Sequence, residues 1–130
     1  MSQKTKTRSL EQVLSEERKL SLQEEKLAAH KRELNKREEQ FFSSFEQSLS
    51  NVQTILDNYV ASSSARAFYY DFLDQLYITK RKMNVAFDDE RNTLMLDIKK
   101  LEVTKRSLYE EKLAIQCQEN TNKAKEKRPK

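Results

Sequence analysis

The amino-acid sequence predicts an all-α protein, a long antiparallel helical hairpin (a two-helix coiled coil) flanked by disordered basic tails. The 130 residues contain no Gly and a single Pro, where average usage would give roughly nine and six or seven. Because tight β-hairpin turns need residues with positive φ, this composition argues against a β-sheet protein. Charged residues make up 35% of the chain, which is typical of long helices. Apolar residues also recur every seven positions in two separate stretches, the spacing of a coiled coil.

The first helix is predicted over residues 9–60. Ser9-Leu10-Glu11-Gln12 has the spacing of a capping box, in which the Ser hydroxyl and the Gln side chain each bind the other residue's backbone N–H. Apolar side chains then recur seven residues apart, at Val13, Leu20, Leu27, Leu34 and Phe41. This spacing predicts one apolar stripe along the helix.

A turn is predicted over residues 61–66, and a second helix over residues 67–117. The run between Asp57 and Arg66 carries no charge and includes three consecutive serines, which are favourable N-cap residues for a following helix. The second helix repeats the seven-residue spacing, at Phe87, Leu94, Leu101, Leu108 and Ile115. These five residues and the five of the first helix are together called the seam.

The two halves of the seam mirror each other. Residues whose numbers sum to 128 pair along its whole length, from Val13 with Ile115 to Phe41 with Phe87. An antiparallel hairpin explains this mirror, because both arms rise equally per residue. The alternative is one continuous helix in a parallel dimer, which the unbroken heptad register also allows. That dimer would bring four charged residues against their own copies: Glu17, Glu24, Lys31 and Glu38. Even the hairpin is expected to leave Glu17 facing Glu111 and Glu38 facing Glu90.

The two ends, residues 1–8 and 118–130, are rich in Lys and Arg and are predicted to be disordered basic tails. No apolar run approaches the length of a membrane span, and the N-terminus lacks the apolar core of a signal peptide. Cys117 is the single cysteine, so no internal disulfide can form. We expect a cytoplasmic protein, or one exported together with its partner.

Residues that could support catalysis are scarce. The sequence has one histidine, His30, and one cysteine, Cys117, with no sign that they lie together. Without Gly, there is no phosphate-binding loop of the usual kinds. The sequence therefore predicts no enzyme activity, no cofactor and no metal site. The basic tails lack any nucleic-acid recognition motif, so no nucleic-acid partner is expected.

Several features favour a protein partner. Away from the turn the seam is only one apolar column wide, so we expect the hairpin to be marginally stable until another helix covers it. Ten of the eleven aromatic residues lie between Phe41 and Phe87, and adjacent ones cannot all face inward. They could form a compact core at the turn, a surface that binds the partner, or both. The candidate partner-binding residues are Phe42, Phe45, Phe68, Tyr70, Phe72 and Tyr77.

Residues 90–115 read ERNTLMLDIKKLEVTKRSLYEEKLAI. This segment resembles the second helix of the LXG-toxin-associated α-helical proteins, the Lap targeting factors of Gram-positive type VIIb secretion. Its Glu-Arg start, Lys-Lys-Leu-Glu centre and Leu-Tyr-Glu-Glu-Lys-Leu end carry the likeness. The resemblance implies a helical hairpin that binds the N-terminal helical LXG domain of a toxin beside a second small helical protein, so that the toxin can be exported.

Two other classes of protein remain compatible with the sequence. Stalk proteins of type III secretion, which escort export chaperones, are likewise charged antiparallel hairpins of similar size. A homodimeric coiled-coil scaffold, stable without any other partner, would also show these heptads. A homodimer of the isolated chain therefore remains an expectation beside the toxin-binding one.

Overall fold

The computed structural model describes residues 8–58 and 62–126 of the chain. Two helices account for nearly all of this part, α1 over Leu10–Asn58 and α2 over Ser63–Glu126. Within these residues there is no β-strand and no backbone with positive φ, as a chain without Gly requires. The prediction of an all-α helical hairpin is confirmed.

The capping box at the start of α1 is confirmed. The Gln12 N–H donates to Ser9 Oγ at 3.2 Å, and the Ser9 N–H donates to Gln12 Oε1 at 3.0 Å. Two backbone N–H groups that a helix start leaves without partners are thereby satisfied. α1 then runs unbroken to Asn58, and the predicted last residues of this helix, 59 and 60, lie outside the described residues.

The second helix begins earlier than the sequence predicts. Residues 63–66 belong to α2, so the predicted turn over 61–66 is wrong at these positions, while residue 61 lies outside the described part. The cause is a cap one residue before the helix, because Ser62 Oγ accepts from the Ala65 N–H at 3.2 Å. The carbonyl of Ser62 accepts from the Arg66 N–H at 3.0 Å and closes the first turn. Serine at this position therefore starts the helix within the serine triplet.

The second helix also ends later than predicted. It continues to Glu126 instead of stopping at 117, so the prediction of a disordered tail is wrong for residues 118–126. These residues contain no Gly or Pro, and nothing in them breaks the backbone hydrogen-bond pattern. Residues 127–130 and 1–7 of the predicted tails lie outside the described part, whereas Arg8 is held by Glu111 at 2.6 Å.

The chain forms two compact units. The first, called the terminal unit, comprises Met1–Ala28 and Met95–Lys130, and the second, called the central unit, comprises Ala29–Leu94. In the terminal unit, Glu17 pairs with Lys112 and Glu24 with Lys105. Residue numbers rise along α1 while they fall along α2, so the helices are antiparallel there. One apolar cluster fills this unit, formed by Val13, Leu20, Leu101, Leu108 and Ile115, with Leu10 and Leu27 packed against it.

The central unit is antiparallel by the same criterion. Its contacts run from Glu38 with Arg91, through Phe41 with Phe87, to the carbonyl of Leu56, which accepts from Arg66 Nη1 at 3.4 Å. The buried apolar residues of this unit are Leu34, Phe45, Val52, Leu56, Phe87 and Leu94. With the half-buried Phe41 and Leu49, the residues from Phe41 to Leu56 follow each other on α1 in steps of four and three, so coiled-coil packing also holds this unit together.

The buried seam leucines should carry much of the stability. Leu34 is fully buried at 0% exposure, while Leu22 is 58% exposed. We expect Leu34→Ala to lower the free energy of unfolding by about 2–5 kcal/mol, because it removes apolar contacts and leaves a cavity. The matched variant Leu22→Ala should change it by no more than about 0.5 kcal/mol. Urea unfolding followed by far-ultraviolet circular dichroism measures both, and equal losses would contradict the packing described here.

Candidate functional site

The ten seam residues are positioned by heptad spacing on facing sides of α1 and α2. Eight of them are buried, with exposures of 8% or less: Val13, Leu20, Leu34, Phe87, Leu94, Leu101, Leu108 and Ile115. Leu27 and Phe41 are half-buried. Most of the seam is therefore already covered by the chain itself, and only the half-buried positions leave part of it open to a partner.

Ion pairs flank the seam in the terminal unit, where the heptads place like charges opposite each other. The expected encounter of Glu17 with Glu111 is relieved, because Glu17 binds Lys112 of α2 and Glu111 binds Arg8, which lies just before α1. Arg8 donates to both oxygens of Glu111, at 3.0 and 2.6 Å, and this bond raises the pKa of Arg8. Lys112 Nζ lies 3.3 Å from Glu17 Oε1, but that buried oxygen has no aligned hydrogen bond.

In the central unit the second expected clash, Glu38 against Glu90, is relieved by their neighbours in sequence. Arg91 binds Glu38, and Arg37 Nη2 donates to Glu90 Oε1 at 2.5 Å. His30 Nε2 lies 2.9 Å from the same Glu90 oxygen. The hydrogen bond from Arg37 and then that from His30 lower the pKa of Glu90. The bond to Glu38 likewise raises the pKa of Arg91.

One of the six candidate partner-binding residues is not available to a partner. Phe45 is only 5% exposed, because the Tyr77 ring packs on it at 5.9 Å and the Lys80 ammonium lies 5.1 Å from its centroid. Phe42 is half-buried, with its ring 6.2 Å from that of Phe87. The prediction that these side chains face a partner is therefore wrong for Phe45, and for Phe42 it stays a prediction. Both belong to the aromatic core of the central unit.

The other four candidates are exposed on the first turns of α2: Phe68 (65%), Tyr70 (51%), Phe72 (44%) and Tyr77 (42%). Residues four or seven apart share a helix face, so Phe68 groups with Phe72 and Tyr70 with Tyr77. At about 100° per residue, the two groups lie about half a turn apart, one on each side of the buried stripe. We call them the Phe flank (Phe68, Phe72) and the Tyr flank (Tyr70, Tyr77).

A shallow groove of about 400 Å³ lies in the terminal unit. Its apolar floor is formed by Leu20, Leu27 and Leu101, and its polar rim by Gln23, Lys26, Asp97, Lys100 and Thr104. The groove follows from the narrow seam, since the positions beside the leucines are polar or charged and leave the half-buried Leu27 uncovered. A side chain from another helix would fit there better than a small charged ligand.

The heptad pattern missed a further set of exposed apolar residues on α2 in the terminal unit. They are Met95 (42%), Leu96 (58%), Val103 (64%), Tyr109 (54%) and Leu113 (46%). At about 100° per residue they cover the side of α2 that faces away from the seam. Met95, Tyr109 and Leu113 belong to a second spacing of four and three residues whose intervening positions are charged, and Leu96 and Val103 lie seven residues apart beside it.

Side chains of the kinds that support catalysis do not cluster. Across residues 8–58 and 62–126, no group of three or more His, Cys, Asp or Glu residues could hold a metal ion. His30 is engaged with Glu90 in the central unit, and Cys117 is an exposed free thiol in the terminal unit. In the same residues, neither helix has a segment long and apolar enough to span a membrane.

Comparisons with protein-family models, with curated proteins and with solved structures found no match to this chain. The candidate site therefore rests on its own geometry. That geometry consists of exposed apolar and aromatic side chains beside a seam that is already closed.

The lowered pKa of Glu90 predicts acid sensitivity in the central unit. Its ionised form is favoured in the folded state, so its contribution is complete above the ordinary pKa of 4.5 and is lost as the pH falls through the lower, folded-state pKa. We expect the stability of the wild type to decline below about pH 4.5, and Glu90→Gln to show a shallower decline over this range. Urea midpoints at about pH 6 and about pH 3 measure the difference.

Glu46→Gln is the matched control, because Glu46 is an exposed glutamate of the same unit and forms none of the ion pairs of the described residues. It should keep the pH dependence of the wild type. If Glu90→Gln and Glu46→Gln behaved alike, the Arg37 and His30 contacts would contribute nothing measurable to the folded state.

Proposed function

We propose that this protein is a non-enzymatic helical adaptor that binds the N-terminal helical LXG domain of a type VIIb secretion toxin, with a second small helical protein, and prepares the toxin for export. The encounter would take place in the cytoplasm, before secretion. The proposal combines the resemblance of residues 90–115 to the Lap targeting factors with the surface chemistry of the chain. Its decisive support is the exposure of four aromatic side chains within Phe68–Tyr77.

Exposed apolar side chains are unusually abundant on this molecule. In the described part, twelve large hydrophobic residues are exposed, against eleven that are buried. Single exposed apolar residues need no explanation, but contiguous ones mark interaction surfaces. Aromatic residues in particular supply much of the binding energy at protein interfaces, because they bury large areas at a low cost in conformational entropy. This surface suits a protein partner better than a small-molecule substrate.

The arrangement of the aromatics supports two helical partners instead of one. Phe68 and Phe72 lie one helical turn apart, which suits an apolar stripe on a neighbouring helix. Tyr70 and Tyr77 offer a second such stripe with hydroxyl groups that can hydrogen-bond at an interface rim. Since the two flanks lie on opposite sides of the buried stripe, one straight helix cannot cover both. We propose that the LXG domain binds one flank and the small helical protein binds the other.

The groove in the terminal unit fits the same kind of partner. Its leucine floor and its rim of Lys26, Lys100 and Asp97 resemble half of a coiled-coil interface, with an apolar centre and charged edges. A partner helix with one apolar stripe and flanking charges therefore suits this groove. Recognition there needs only helical surfaces, and no catalytic group takes part.

Co-expression tests the proposal directly. The chain should co-purify with the LXG-domain protein and the small helical protein encoded beside it. Replacing the Phe flank by Phe68→Ala with Phe72→Ala should weaken binding of one partner by about 10-fold or more, because each lost aromatic anchor typically costs about 1–3 kcal/mol. Tyr70→Ala should instead weaken binding of the other partner. Affinities are measured by titration calorimetry with each purified partner.

Val85→Ala is the matched control, because Val85 is 60% exposed on α2 but lies on neither flank. Circular dichroism should show unchanged helicity for all variants, since every substituted side chain is exposed. No co-purification with either partner would refute the adaptor function. Wild-type affinities for both flank variants would instead refute the binding site while leaving the function standing.

A further inference from the structure

The outward side of α2 in the terminal unit carries a second coiled-coil pattern. Six exposed residues follow each other in alternating steps of four and three: Met95, Lys99, Glu102, Arg106, Tyr109 and Leu113. Val103, 64% exposed, lies at the edge of this stripe. Alternating steps of four and three keep side chains on one face and are the spacing by which helices pair. This face is called the outer stripe.

We propose that the outer stripe binds the outer stripe of a second copy of this chain in an antiparallel, two-fold symmetric pair. Centring the two-fold axis at the level of Thr104 pairs residues whose numbers sum to 208. Met95 then meets Leu113 of the second copy, and Lys99 meets Tyr109 of the second copy. A two-fold interface repeats each contact twice, so the surface must be complementary to itself.

The charges of the outer stripe select this arrangement. In the antiparallel pair Glu102 lies against Arg106 of the second copy, and the symmetric pair forms on the other side of the axis. Lys99 lies over the Tyr109 ring of the second copy, where a cation–π contact is favourable. Among the described residues, neither Lys99, Glu102 nor Arg106 has an ion-pair partner. A parallel pair would instead set each of these three charges against its own copy.

The residues beside the stripe differ between its two edges. On one edge, Val103 meets Val103 of the second copy close to the axis. On the other edge Lys105 approaches Lys105 of the second copy, and Lys112 lies one heptad further along. Each of these lysines already binds a glutamate of α1 within its own chain, so the repulsion between the two copies of Lys105 is reduced. The inference does not depend on the proposed adaptor function, because it uses a different face of α2.

The size of the outer stripe implies a weak dimer. Residues 95–113 span about 28 Å of helix, which buries less than the roughly 1,200 Å² of a stable interface. We therefore expect a dissociation constant in the micromolar range or weaker. In sedimentation equilibrium, the apparent mass of the full chain should rise with concentration from 15.5 kDa toward twice that value. A monomer at every concentration would overturn the proposal.

Charge reversal tests which face forms the dimer. Glu102→Arg, and separately Arg106→Glu, should weaken dimerisation roughly 10-fold or more, because each change makes two contacts repulsive. Combining both substitutions exchanges the charges and should restore dimerisation to near the wild-type level. Glu25→Arg is the matched control: Glu25 is exposed on α1 of the same unit, and the reversal should leave the dimer unchanged. Unchanged dimerisation in Glu102→Arg and Arg106→Glu would overturn the proposal.

The exposed Cys117 reports the direction of pairing without any substitution. It lies thirteen residues from the proposed axis, so nitroxide labels on the two copies should be about 40 Å apart. Double electron–electron resonance measures this distance. A parallel dimer would instead place the two Cys117 residues at the same level on helices about 10 Å apart. That distance would overturn the antiparallel register even if a dimer formed, whereas about 40 Å supports it.

Discussion

Packing of the heptad-spaced seam between α1 and α2 is the interaction on which this structure depends. In the terminal unit the helices meet through one row of apolar side chains, and in the central unit buried Phe45, Val52 and Leu56 widen that row. In the terminal unit a single row suffices because flanking ion pairs satisfy the charged positions next to it. Helices in folded proteins gain most of their stability from such packing and little from intrinsic propensity.

Because only two helices pack together, much apolar surface also remains exposed. Two helices can cover only one face of each other, and α2 carries apolar residues on more than one face. In the central unit four of the five exposed large apolar residues are aromatic and flank the buried stripe, while on α2 of the terminal unit the exposed apolar residues are interleaved with charges. These differences in chemistry lead us to assign different partners to them, helical domains of other proteins in one case and a second copy in the other.

Regular spacing made the seam predictable, and its absence elsewhere limited prediction. The heptads identified Leu34 and Leu94, and the capping box identified the start of α1, because each depends on residues close in sequence. The start of α2 was misplaced because any of three serines could cap it, and its end because residues 118–126 carry no breaking residue. Phe45 was assigned to a partner because residue spacing does not show that Tyr77 and Lys80 cover its ring. Ion pairs such as Arg91 with Glu38 were not predicted, because long side chains reach one residue beyond the position that faces them in the heptad pattern.

A leucine repeat does not by itself fix the register of two helices, since sliding α2 along α1 by seven residues leaves leucine against leucine. The salt bridges reduce this ambiguity, because each slip keeps one pairing of a glutamate with a lysine but loses others. A slip in one direction brings Glu17 toward Glu119 instead of Lys112, and a slip in the other brings Glu38 toward Asn84 instead of Arg91. Misaligned hairpins would thus keep their apolar packing but lose favourable charge contacts. This loss disfavours them as folding traps. The glutamates beside the seam therefore help to select the register in which its leucines pair.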